Sequence, residues 1–120
     1  MKFLTPAPHG LGDYAAAIVL IAAPFFLGIR EQSVIAHWVS IASGIGLIIY
    51  SLLTNYPYSV AKVISFKAHL VLDVLAGLVL IAMAFILGLQ GVAQIYMIVM
   101  GAGVLLVVAV TRTEEVSAIN

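Results

Sequence analysis

Four long apolar stretches separated by short polar breaks constrain this chain more than any other feature, because each has the length that crosses a bilayer. At ~1.5 Å rise per residue, a hydrocarbon core of ~30 Å takes about 20 residues of helix. The spacing predicts helices from about His9 to Ile29, Val34 to Leu53, Phe66 to Leu89 and Val92 to Val110. Of the 120 residues, 64% are hydrophobic and 8% charged, against ~25% charged in soluble domains. A water-soluble fold of this size has too little interior to hide that much apolar surface, whereas lipid solvates it. The expected fold class is all-α, an integral membrane four-helix bundle.

The breaks divide the chain into two helical hairpins. Arg30, Glu31, Gln32 and Ser33 form the first tight turn, and Gly88, Gln90, Gly91 and Gln94 mark the last. The longest polar interruption opens with Asn55-Tyr56-Pro57 and carries Lys62 and Lys67, so it reads as the central linker. Lys2 ahead of an apolar run, with Ala22-Ala23 behind it, mimics a secretory signal; Asp13 inside that run and its internal counterpart at the third helix argue against one.

That counterpart is a duplication. Residues 9–28 laid on 69–88 without a gap agree at ten of twenty positions, among them His9 with His69 and Asp13 with Asp73. Apolar identities arise easily in membrane helices, but paired ionisable residues do not. The following helices match at an offset of 57, with Gly44 and Gly46 on Gly101 and Gly103 and Thr54 on Thr111. A unit of two spans returns to the side it left, so the repeat is parallel, with its pseudo-twofold axis along the membrane normal. The expectation is one membrane domain over 1–120: repeat unit 1 at about 9–54, a linker at 55–67, repeat unit 2 at about 68–111 and a tail at 112–120.

Lys2, Lys62, Lys67 and Arg112 fall on one side of the four spans and Arg30 alone on the other. The positive-inside rule then puts both termini in the cytoplasm of a multi-pass cell-membrane protein, a bacterial inner membrane being the suspected one. Zero formal net charge and no basic run exclude nucleic acid as a partner. The absence of cysteine excludes disulfides, thiolate metal sites, iron–sulfur clusters and covalent c-type haem. No Ser/His/Asp spacing, phosphate loop, nucleotide fingerprint or HExxH helix occurs, so nothing specifies an enzyme.

The candidate site residues are His9, Asp13, His69 and Asp73. Each His precedes its Asp by four positions, so each pair shares a helical face near the cytoplasmic end of its span, and the duplication puts both pairs at similar depth. The bland reading is that they are helix-locking hydrogen bonds or groups in headgroup water. The sharper readings are a divalent metal held by two imidazoles and two carboxylates, a proton or ion relay, or b-type haem with His9 and His69 as axial ligands. Interior placement is expected, because an ionisable group facing hydrocarbon costs ~2.5–3.5 kcal/mol.

Other residues carry weaker expectations. Trp38, Tyr56 and Tyr58 read as interfacial anchors, and His37, replaced by Gln94 in the second unit, as interfacial beside Trp38. Pro24 should bend the first helix and leave the Leu20 carbonyl in need of a partner. Gly44, Gly46, Gly101 and Gly103, with Ala42 and Ala102, form small-residue faces for packing within the bundle, in a homo-oligomer or in a larger membrane complex. Thr54, Asn55, Thr111, Arg112 and Glu114 read as wet residues of the cytoplasmic rim, with a docking surface as the alternative.

The runs Ile21-Ala22-Ala23-Pro24-Phe25-Phe26-Leu27-Gly28 and Tyr50-Ser51-Leu52-Leu53-Thr54-Asn55-Tyr56-Pro57, with His69-Leu70-Val71-Leu72-Asp73 and Thr111-Arg112-Thr113-Glu114, resemble bacterial membrane proteins of the SPW-repeat family across nearly the whole chain. That family's two-helix unit carries Ser-Pro-Trp in its first helix. Here Ala23-Pro24-Phe25 keeps the proline and Met83-Ala84-Phe85 keeps none of it. The resemblance implies helical hairpins in a membrane and no particular activity. The expected function is that of a non-enzymatic structural or accessory membrane component, with a metal-, haem- or proton-handling bundle as the alternative.

Overall fold

Polar caps and left-handed glycines place the helix ends. The computed structural model describes residues 2–112; Glu114 and the rest of the tail beyond Arg112, including Asn120, lie outside the described residues. Helix α1 spans Pro6–Phe26, a single turn α2 spans Ile29–Gln32, and α3 spans Val34–Leu52. Helix α4 spans Phe66–Ile86 and α5 spans Gly91–Val110. No β-strand occurs among the described residues, only isolated bridges joining Leu4 to Thr111 and Thr54 to Ile64.

Proline at the first turn starts α1, where the missing N–H would be unsatisfied anyway. Ser33 and Ser65 cap α3 and α4 by accepting from the backbone N–H of Ala36 and Ala68, each at 3.1 Å. Helix α1 stops at Phe26, short of the expected Ile29, because Gly28 turns left-handed at φ 65°; α4 stops at Ile86, short of Leu89, because Gly88 does the same at φ 61°. Seven residues (27–33) connect the helices of the first hairpin and four (87–90) those of the second. The three-residue difference is the extra turn α2, and it accounts for the drop in sequence offset from 60 to 57.

Within each hairpin the long helices pack along their lengths, α1 on α3 and α4 on α5, while the hairpins meet mainly through α3 and α4 and at their two ends. Gly44 and Gly101 sit at the close approaches: a Cβ on Gly44 would lie 2.7 Å from the Ala17 carbonyl oxygen, and one on Gly101 2.6 Å from that of Gly77. Gly46 and Gly103 do not serve this purpose, since nothing lies within 4 Å of a Cβ at either. Positions two residues apart on a helix point in different directions, so packing inside each hairpin uses Gly44 and Gly101 while Gly46 and Gly103 face away from it.

Both hairpins begin at the same end of the bundle. The N-terminal turns of α1 and α4 meet through their His and Asp residues, and the opposite turns meet through Gln32, whose side chain donates to the Gln90 carbonyl (3.0 Å) and accepts from the Gln90 N–H (2.6 Å). The hairpins are thus parallel, and residues 11–20 and 71–80 share one pattern of buried and exposed positions. Pro24 leaves the Leu20 carbonyl free, and the Ser40 hydroxyl donates to it at 2.8 Å while accepting from the Tyr96 hydroxyl at 2.7 Å.

Much of the outer surface is apolar. Ile18, Phe26, Val71, Leu75, Phe85, Val99 and Leu106 each expose more than half their area, an arrangement that water penalises and lipid tolerates. Each of the four long helices is long and apolar enough to cross a membrane.

Candidate metal centre

The i, i+4 spacing brings each His over its own Asp, and the parallel meeting of α1 and α4 brings the two pairs together. His9 and Asp13 are 1% and 7% exposed, His69 and Asp73 0% and 3%, so all four point into the bundle as expected. The two imidazoles and two carboxylates interleave. His9 Nε2 lies 3.2 Å from Asp13 Oδ1 and 3.1 Å from Asp73 Oδ2; His69 Nε2 lies 2.9 Å from Asp13 Oδ2 and 3.3 Å from Asp73 Oδ2. One donor atom from each residue falls within 4.8 Å of all the others. A tetrahedral ion with ~2.0–2.1 Å bonds sets its donors roughly 3.3 Å apart.

Two threonines fix the protons on the far side of the rings. Thr111 Oγ1 is 2.8 Å from His9 Nδ1 and 2.5 Å from the Val107 carbonyl oxygen. Thr54 Oγ1 is likewise 2.8 Å from His69 Nδ1 and 2.6 Å from the Tyr50 carbonyl oxygen. A carbonyl only accepts, so each hydroxyl spends its single proton there and must accept from the imidazole. Both Nδ1 atoms therefore carry hydrogen. In a neutral ring this leaves the Nε2 lone pair facing the carboxylates, the tautomer that binds a metal through Nε2.

Tyrosines hold the carboxylates. The Tyr50 hydroxyl donates to Asp73 Oδ1 at 2.5 Å and the Tyr56 hydroxyl to Asp13 Oδ2 at 3.1 Å. Burial, helped by the neighbouring Asp13 carboxylate, pushes the Tyr56 phenol well above its ordinary range, so it remains a donor. Phe66 closes the cluster on one side, stacking on the His69 ring and meeting the His9 ring edge-on. His69 Nε2 is buried and close to two carboxylate oxygens, yet makes no hydrogen bond of acceptable geometry.

Several expectations need correction. Tyr56 is no interfacial anchor: at 3% exposure it is folded inward onto Asp13, whereas Trp38 and Tyr58 remain about half exposed. Thr54 and Thr111 are not wet rim residues but wholly buried partners of the imidazoles. His37 is 1% exposed, held edge-on by Phe25 and Trp38 with both ring nitrogens unpartnered, and lies at the opposite end of α3 from the cluster. The matched threonines at offset 57, each closing the second helix of a hairpin at the end where the histidines start, are the signal that could have found them. Tyr50 has no such signal, because its counterpart is Val107.

The geometry also bears on haem. A bis-histidine haem needs its two imidazoles on opposite faces of a porphyrin. Here both carboxylates crowd the two Nε2 atoms, and the ring centroids stand 5.5 Å apart nearly edge to face. Compared with protein-family models, curated proteins and solved structures, the chain matches none.

Proposed function

We propose that this chain is a non-enzymatic, four-span membrane component whose two hairpins are tied together by one divalent transition-metal ion bound to His9, Asp13, His69 and Asp73. Imidazole nitrogen and carboxylate oxygen suit zinc or a neighbouring first-row ion, and four protein donors without an open position make a closed, structural site. Two carboxylates with two neutral imidazoles carry two negative charges, which a divalent ion neutralises. The hairpins pack sparingly against each other, so a joint at the start of α1 and α4 has a mechanical purpose.

One observation carries this reading: His69 Nε2 is buried among two carboxylates and hydrogen-bonded to neither, while Thr54 fixes the proton on its other nitrogen. A competing reading makes both rings imidazolium and the cluster a pair of salt bridges, and the aligned contact from His9 Nε2 to Asp73 at 3.1 Å favours it. Elemental analysis of detergent-purified protein separates the two. One equivalent of metal is expected, lost at least tenfold in affinity in Asp73→Asn, which keeps the shape and removes a charge; a metal-free protein with unchanged stability after chelation refutes the metal.

The setting belongs to the same reading: a bacterial cell membrane, both termini cytoplasmic, kinship with SPW-repeat proteins, and the Gly-rich faces of α3 and α5, with Gly46, Gly103, Ala42 and Ala102, open to a second copy or a larger complex. Support for the orientation is the grouping of Lys2, Lys62, Lys67 and Arg112 against Arg30. Reporter fusions at the C-terminus and in the Arg30 turn test it, and an external C-terminus would reverse it.

A further inference from the structure

A cavity of about 320 Å³ runs between the hairpins, within the size range of small-molecule sites. Its walls are apolar apart from Ser43, and several lining residues are matched between the hairpins: Leu20 and Leu80, Ala16 and Ala76, Leu47 and Val104. Asp13, Asp73 and Tyr50 supply its polar end. Val99 and Val107 also line it and are outward-facing residues of the apolar surface, so the cavity opens sideways toward lipid. On the linker side Tyr56 and Phe66, 3% and 2% exposed, cover the same four-residue cluster. The cluster is thus shielded from the aqueous end and approached from the bilayer.

The chemistry of the polar end selects an occupant. At the polar end the Tyr50 hydroxyl already donates to Asp73, so what Tyr50 and the Asp13 and Asp73 carboxylates have left to offer there is acceptor oxygen. A ligand group that meets it must donate. With a divalent ion bound the cluster is neutral overall, which removes any call for a cationic amine. We infer that the cavity between the hairpins binds a lipophilic alcohol from the bilayer, its chain lying between the hairpins and its hydroxyl donating to Asp13 or Asp73. The inference rests on the metal reading only for that neutrality; the apolar walls and the acceptor end stand without it.

The probe is a medium-chain alcohol with a terminal diazirine, photolysed with the full-length protein in lipid nanodiscs, with its methyl ether as control because the ether cannot donate. Labelling is expected on cavity-wall residues such as Leu80 and Met100, and is expected to be weaker by about tenfold or more for the ether, since a hydrogen bond to a charged group is lost. Gly103 lines the cavity, and nothing lies within 4 Å of a Cβ there, so Gly103→Leu can start a side chain there without a clash and extend it into the space. Labelling should vanish in that variant while its metal content stays at the parent level. No wall labelling, equal labelling by alcohol and ether, or labelling that survives Gly103→Leu overturns the inference. Metal content measured on the same samples keeps the two readings apart: metal-free protein that still labels selectively sinks the metal and leaves the alcohol site standing.

Discussion

Replacing Thr54 or Thr111 by valine tests the link between hydroxyl, tautomer and metal. Each threonine accepts the Nδ1–H of one imidazole at 2.8 Å and is wholly buried. Valine keeps the shape and removes the acceptor. A ring left so has two options: bury an unsatisfied N–H at a cost of about 1–3 kcal/mol, or move the proton to Nε2, where it faces the carboxylates and occupies the metal's position. Loss of such an outer partner weakens metal binding by ~10–100-fold, or about 1.4–2.8 kcal/mol. The tautomer shift lets metal-free protein escape much of its penalty, so affinity should fall more than metal-free stability does. Competition against a chromogenic zinc chelator gives the affinity, and thermal unfolding with and without zinc gives the stability. Thr54→Ser, which keeps the hydroxyl, should stay near the parent. Zinc affinity unchanged in both valine variants, or a loss in Thr54→Ser as large as in Thr54→Val, would refute the argument.

Gly101→Ala should destabilise the protein by about 1–3 kcal/mol in detergent unfolding, because its Cβ would meet the Gly77 carbonyl at 2.6 Å and push α4 from α5, whereas Gly103→Ala, with open space around it, should stay within about 0.5 kcal/mol. Ser40→Ala should cost about 1–2 kcal/mol by stranding both the Leu20 carbonyl that Pro24 leaves free and the Tyr96 hydroxyl, with a smaller loss in Tyr96→Phe; equal stability of parent and Ser40→Ala would dismiss the Pro24 account. The raised Tyr56 phenol predicts an alkaline limb. Above an unfolded-state pKa of about 10 the unfolded chain sheds a proton that the folded one retains, so stability present below that pH falls as pH rises, and Tyr56→Phe should flatten this part of the profile.

Much of the architecture was legible in the sequence for a local reason. A backbone in lipid must satisfy its own hydrogen bonds, so span-length apolar runs broken by charge become helices whatever surrounds them. Gly28 and Gly88 end the first helix of each hairpin through their own conformational freedom, although a reading by hydrophobicity alone ran three residues past each stop. His9 with Asp13 and His69 with Asp73 were visible because the i, i+4 spacing sets a shared helix face and the match of residues 9–28 to 69–88 puts the two pairs at corresponding positions.

Tertiary structure alone decided what lies around that cluster. Whether Tyr56 anchors in headgroups or turns inward to Asp13 depends on the path of the linker, which carries no periodicity to read. Tyr50 reaches Asp73 from α3 because of how that helix crosses α4, and no matching residue stands at the aligned position, Val107. His37 is buried for the same kind of reason, packed by Phe25 across the first hairpin. Gly44 and Gly46 look alike in sequence and differ wholly in surroundings, since a rotation of two residues carries a side chain from the helix contact to open space. Helix periodicity sets where a side chain points; only the crossing of helices distant in sequence sets what it meets.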